Sequence, residues 1–75
     1  MKKIKNVSFF KDYLMEIVFT DDSVGLYDMS SRIKNVRFYD LNDWEVFKSG
    51  YVKDGQAICW NNGLELLLDE IVFKI

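Results

Sequence analysis

Apolar residues recur at every second position through the first third of the chain. Val7 and Phe9 alternate with polar neighbours, and after Lys11-Asp12 the period resumes as Met15, Ile17 and Phe19. A period of two marks a half-buried strand, so Asn6 to Phe10 and Tyr13 to Thr20 read as a β-hairpin. Asp21-Asp22 stands where a two-residue turn would stand. Aspartate tolerates left-handed backbone better than most residues, though less well than the glycine such turns favour. Val24, Leu26 and Tyr27 then extend the pair into a three-stranded antiparallel meander.

Beyond Asp28 that period is lost. Ser30 or Ser31 is placed to cap a short helical turn through Arg32-Ile33-Lys34, and Asn35 to Tyr39 reads as an irregular connection. Asn42 with Glu45 has capping-box spacing, and Gly50 is placed to end the helix in the left-handed conformation, which predicts a helix from Asp43 to Ser49. Trp44 and Phe47 share a face with Leu41, so this helix docks on the sheet through its aromatics.

Tyr51-Val52-Lys53 returns to strand, Asp54-Gly55 turns, and Gln56 to Trp60 runs into Asn61-Asn62-Gly63. Asn-Gly predicts a type I′ turn, pairing Ile58-Cys59-Trp60 with Leu64-Glu65-Leu66. At the end two periods compete. Leu64, Leu67, Leu68 and Ile71 fall at helical spacing, whereas Ile71 to Ile75 alternates like a strand. The preferred reading is a hairpin to Leu66 and a short helical turn over Leu68 to Val72. The sum is one α+β domain over residues 1–75: an N-terminal three-stranded antiparallel meander, a short docked helix, a C-terminal β-hairpin and a short terminal helical turn.

Composition supports folding and narrows the chemistry. Hydrophobic residues make up 49% of the 75 and aromatics 16%, far from the composition of disordered chains. A chain this short buries only about 60% of the surface its unfolded form exposes, which leaves room for one core. One cysteine, Cys59, cannot form an internal disulfide, and a reducing cytoplasm is the expected setting. The basic start, Met1-Lys2-Lys3-Ile4-Lys5-Asn6, has no apolar run behind it and reads as the lead into the first strand rather than a signal peptide. No window is long and apolar enough for a transmembrane helix.

The chain has no histidine. It therefore lacks the commonest general acid–base near neutral pH and the imidazole metal ligand, and Ser-His-Asp and Cys-His catalysis are excluded. Zinc sites need more Cys and His than are present, and Gly25, Gly50, Gly55 and Gly63 assemble neither a P-loop nor a dinucleotide-binding pattern. Asp40, Asp43 and Glu45, or Asp21 with Asp22, are carboxylates for Mg²⁺ or Ca²⁺ but lack EF-hand spacing, and turn and cap roles account for all five. Asp28, ending an apolar strand, is placed to accept backbone N–H bonds from the Ser30-Ser31 turn. Cys59 has no neighbouring cation in the sequence to activate it.

These segments, in order, resemble domain-of-unknown-function family 2442, a family of small bacterial domains. The resemblance is carried by Phe19-Thr20-Asp21-Asp22, Leu26-Tyr27-Asp28, Leu41-Asn42-Asp43-Trp44-Glu45-Val46-Phe47 and Trp60-Asn61-Asn62-Gly63-Leu64-Glu65-Leu66. Three positions depart from the family pattern: Asp22 stands for a turn glycine, Asn61 for proline and Glu65 for aspartate. The resemblance implies a compact α+β domain of bacteria and their mobile elements, sometimes fused to a helix-turn-helix segment. It also implies a gene often beside that of another small protein, in an arrangement like a toxin–antitoxin pair. No reaction, cofactor or substrate comes with it, and it implies structural roles for Phe19, Asp28, Phe47, Trp60, Asn62, Gly63 and Glu65.

The aromatic surplus is the feature that points outward. A domain of this size does not bury all twelve, and Phe10, Tyr13, Phe38, Tyr39 and Tyr51 are the residues expected at the surface, where such side chains anchor interfaces. Phe38-Tyr39, in a loop beside Asp40, is the sharpest instance, whereas Trp60 is expected in the core. The expected function is a non-catalytic protein-interaction module, without cofactor or metal, acting through a sheet edge and the aromatics around Phe38-Tyr39. Its expected partner is a protein, such as the product of a neighbouring gene, or a second copy of itself. The alternative is a nucleic-acid-binding accessory domain using Lys2, Lys3 and Lys5, against which a net charge of −2 weighs. A metal-dependent carboxylate enzyme ranks third.

Overall fold

The computed structural model describes residues 2–74. Strands β1 (Ile4–Phe10), β2 (Leu14–Phe19) and β3 (Val24–Asp28) form the antiparallel meander in the order β1-β2-β3. Short 3-10 helices follow at Arg32–Lys34 and Val36–Asn42, then α1 (Trp44–Phe47). Strands β4 (Tyr51–Lys53), β5 (Ala57–Cys59) and β6 (Glu65–Leu67) make a second antiparallel sheet, and α2 (Leu68–Lys74) closes the described chain. The architecture is the expected α+β. The alternation at Ile71–Ile75 resolves as helix through Lys74, with Ile75 outside the described residues.

Period two places Met15, Ile17 and Phe19 on the buried face of the meander as expected. In β3 the inward residues are Gly25 and Tyr27, whereas Val24 and Leu26 point out. The core cluster joins Met15, Ile17, Phe19 and Tyr27 of the first sheet to Ile58 and Leu66 of the second, with Phe38, Leu41, Phe47, Trp60 and Ile71 between. Main chains of the two sheets meet where Ile4 N–H donates to Gly55 C=O at 2.8 Å.

The turns are punctuated where expected but differ in type. Asp21-Asp22 belongs to a three-residue loop: Phe19 N–H donates to Ser23 C=O, Asp22 N–H to Phe19 C=O, and Asp22 takes φ 67°. The second hairpin repeats this geometry, with Trp60 N–H to Leu64 C=O, Gly63 N–H to Trp60 C=O and Gly63 at φ 89°. Only the last loop residue is left-handed in each, the mark of a type I turn closed by a G1 bulge, so the Asn61-Asn62-Gly63 turn is not type I′. Asp21 and Asn62 hold equivalent places, their side-chain oxygens accepting the N–H two residues on at 3.0 and 3.2 Å. Paired left-handed residues stand instead at Asp54-Gly55, φ 54° and 70°, and at Asp12-Tyr13, φ 67° and 61°.

Two helix expectations are corrected. Neither serine caps Arg32–Lys34 by its side chain, although Asp28 does accept the Ser30 N–H at 2.8 Å. Asn42 does not cap α1: its side-chain N–H groups donate to Ile33 C=O and Tyr39 C=O, and Asp43, which directly precedes α1, takes the cap by accepting Glu45 N–H at 3.0 Å. Gly50 is not left-handed. It is needed for space, since a Cβ there would stand 2.7 Å from Phe9 Cζ and 2.8 Å from Trp60 Nε1.

Arg37 and Glu70 clip the long 3-10 helix to α2. Arg37 donates to Glu70 at 3.0 Å and to the Glu65 carbonyl at 2.9 Å, while Glu70 also accepts the Leu67 N–H at 3.0 Å. That amide first, then Arg37, holds the Glu70 carboxyl below its ordinary value against the pull of partial burial. A depressed carboxyl stabilises the fold above its unfolded value, 4.5, and the contribution is lost as the pH falls through the folded value. Denaturation at a series of pH values should therefore show stability falling on acidification below about 4.5, more steeply in the native chain than in Glu70→Gln.

Candidate interaction surface

The segment read as an irregular connection is a seven-residue 3-10 helix, Val36–Asn42, begun by Asn35, whose side chain accepts the Arg37 N–H. A 3-10 helix has three residues per turn, so positions three apart eclipse. Phe38 and Leu41 fall on the inner side and are buried, Phe38 being 1% exposed, whereas Val36 and Tyr39 fall on the outer side at 93% and 66% exposure. Phe38 is thus a core residue and not part of a surface. Its ring lies under the Arg37 guanidinium at 4.6 Å, with Arg32 at 5.9 Å.

Tyr39 is one wall of a cleft of about 600 Å³. The other lining comes from Asp40 and Asn42 of the same helix, Asp43 and Glu45 at the start of α1, and Asn61 and Asn62 of the β5–β6 turn, with Val46 and Ser49. Three carboxylates and no Lys or Arg are among these residues. Lys48, outside the lining, pairs with Glu45 at 2.8 Å. An aromatic face beside Asp40 and Asp43, neither of which is in an ion pair among the described residues, suits a guanidinium or ammonium group, which gains both charge attraction and a cation–π contact of about 0.5–1 kcal/mol at an exposed site.

Two bonds hold the walls. Trp60 Nε1–H donates to the Phe47 carbonyl at 2.8 Å, tying the β5–β6 turn to the end of α1. Tyr13 donates its hydroxyl to the Asn42 carbonyl and packs its ring edgewise on Phe47 at 5.5 Å. Tyr13 is therefore a half-buried strut rather than an open anchor. Phe10 and Tyr51 are exposed as expected, but neither lines this cleft.

The remaining motif residues serve the fold. Phe19 and Phe47 are core, Asp28 and Asn62 accept turn amides, and Gly63 supplies a left-handed residue. Glu65 accepts from the Cys59 thiol at 3.6 Å. Both faces of β5 are covered, and Cys59 is buried along with Ile58 and Trp60. Burial first, then Glu65, pushes the Cys59 thiol up, the opposite of an activated nucleophile. The N-terminal lysines are partly engaged, Lys5 with Asp22 at 3.0 Å and Lys2 over the Phe19 ring at 4.4 Å. No helix among the described residues is long and apolar enough to cross a membrane.

Fold and surface together define a small α+β domain of two three-stranded sheets with an aromatic core and an acidic, tyrosine-walled cleft. The chain belongs to the DUF2442 family of proteins of unknown function, whose model matches residues 4–75. No significant match was found among curated proteins or among solved structures.

Proposed function

We propose that this chain is a non-catalytic protein-binding module that receives a Lys- or Arg-bearing segment of a partner protein in the Tyr39 cleft. The observation that carries this reading is the convergence of Asp40, Asp43 and Glu45 on an exposed tyrosine, with no cation in the lining. Tyrosine is among the residues that dominate interface energies, and complementary charge around it sets the partner and speeds encounter. The same carboxylates oppose a nucleic-acid backbone, and the lysines of the N-terminus are partly committed to Asp22 and Phe19. The family resemblance supports a partner encoded nearby, with this chain the antitoxin-like or regulatory member of a small operon.

Co-expression with the product of an adjacent gene tests the reading. The two proteins should co-purify, Tyr39→Ala should weaken the complex by about thirtyfold, equivalent to about 2 kcal/mol, and Asp40→Asn should weaken it less, most visibly at low salt. The absence of a complex, or a complex indifferent to both substitutions, would refute it.

A further inference from the structure

The free edge of the meander has a defined chemistry. Phe19 N–H donates to Ser23 C=O, and Met29 N–H donates to Tyr13 C=O, so the residues that bracket β3 both turn their main chains toward β2. Main-chain groups alternate in direction along a strand. Gly25 and Tyr27 therefore bond to β2, and the N–H and C=O groups of Val24, Leu26 and Asp28 face away from the sheet. None of these has a backbone partner among the described residues. The corresponding side chains stand on the outer face, Val24 at 58% and Leu26 at 60% exposure.

Edges of this kind are normally protected by Lys, Pro or a bulge, and β3 carries none of the three; its register with β2 runs unbroken from Leu14–Asp28 to Val18–Val24. A groove of about 280 Å³, lined by Leu26, Tyr27, Asp28, Ser31 and Arg32, runs beside it. The charges flanking the strand are of opposite sign. Asp21 and Asp22 precede it, and Arg32 and Lys34 follow it.

We infer that the β3 edge pairs with β3 of a second copy of this chain, antiparallel about Leu26. A two-fold axis at Leu26 sets Val24 opposite the partner's Asp28 and brings the acidic Asp21-Asp22 turn of each copy toward the Arg32 end of the other. The result is a continuous six-stranded sheet with an isologous contact. Pairing over five residues falls short of the roughly 1,200 Å² of a standard interface, so the dimer dissociates on dilution. It leaves the Tyr39 cleft open and stands independently of the function proposed there.

Sedimentation equilibrium of the full chain over a hundredfold concentration range tests this. The mass should rise from 8.9 kDa toward twice that value, with amide exchange at Val24 and Leu26 slowing as it does. Leu26→Lys sets two ammonium groups across the axis and should hold the chain at 8.9 kDa throughout, its circular dichroism unchanged because the side chain is exposed; Val24→Asp, which sets a second carboxylate opposite the partner's Asp28, should weaken pairing. A native chain that stays monomeric at the highest concentration overturns the inference. So does a dimer that survives Leu26→Lys, or an edge that an unrelated extended peptide occupies while the chain alone does not self-associate.

Discussion

Trp60→Ala should lower stability by about 4 kcal/mol, a loss on the order of 20 °C in Tm for a domain of this size. Trp60 is 2% exposed and lies at the junction of both sheets with α1. Its removal opens a cavity against Phe9, whose ring centroid is 6.3 Å away, and leaves the Phe47 carbonyl without its 2.8 Å donor. Domains of this length hold only about 4–11 kcal/mol in all, so the loss takes a third or more of the total stability. Trp60→Phe separates the two contributions: most of the ring stays, the donor goes, and the expected cost is about 1–3 kcal/mol. Urea denaturation followed by circular dichroism measures both. A Trp60→Ala domain within 1 kcal/mol of the native chain would contradict the packing described.

Gly50→Ala carries the second large effect, and its sign is diagnostic. In an ordinary loop the change stabilises by about 0.4–1 kcal/mol, because alanine restricts the unfolded chain. Here the new methyl would stand within 2.8 Å of both Phe9 Cζ and Trp60 Nε1, closer than real Cβ atoms come. A loss of about 1–3 kcal/mol is expected, as for other overpacked sites. Gly50→Asn distinguishes this cause from a left-handed cap. At a cap asparagine is nearly as good as glycine, whereas against the Phe9 and Trp60 rings it must be worse than alanine.

The meander, the docked helix and the second hairpin were legible because period-two burial and Asp, Asn and Gly turns are local signals. Turn type was not legible. Whether Asn62-Gly63 forms a two-residue or a three-residue loop depends on the bonds made by Trp60 and Leu64, and the same pattern without a glycine at Asp22 adopts the same geometry. The Val36–Asn42 helix escaped because its period of three gives Phe38 and Leu41 to the core and Tyr39 to solvent, a division that a loop reading cannot make. Adjacent aromatics therefore looked alike. Gly50 was misassigned for a related reason, since its constraint comes from Trp60 and from Phe9, the latter 41 residues away along the chain.

The surface was half visible. Tyr39 followed from the aromatic surplus, whereas the α1 cap was assigned to Asn42 and belongs to Asp43. The convergence of Asp40, Asp43 and Glu45 with Asn61 and Asn62 is tertiary, built by the Trp60–Phe47 bond, and no local pattern announces it.

Chemical-shift mapping of the ¹⁵N-labelled full chain, titrated with a Lys- and Arg-rich peptide selected against it from a random library, tests the binding surface most directly. The account predicts saturable shifts centred on Tyr39, Asp40, Asp43, Glu45, Asn61 and Asn62 that vanish in Tyr39→Ala. Selected peptides with no basic preference, or shifts that fall elsewhere and persist in Tyr39→Ala, would contradict it.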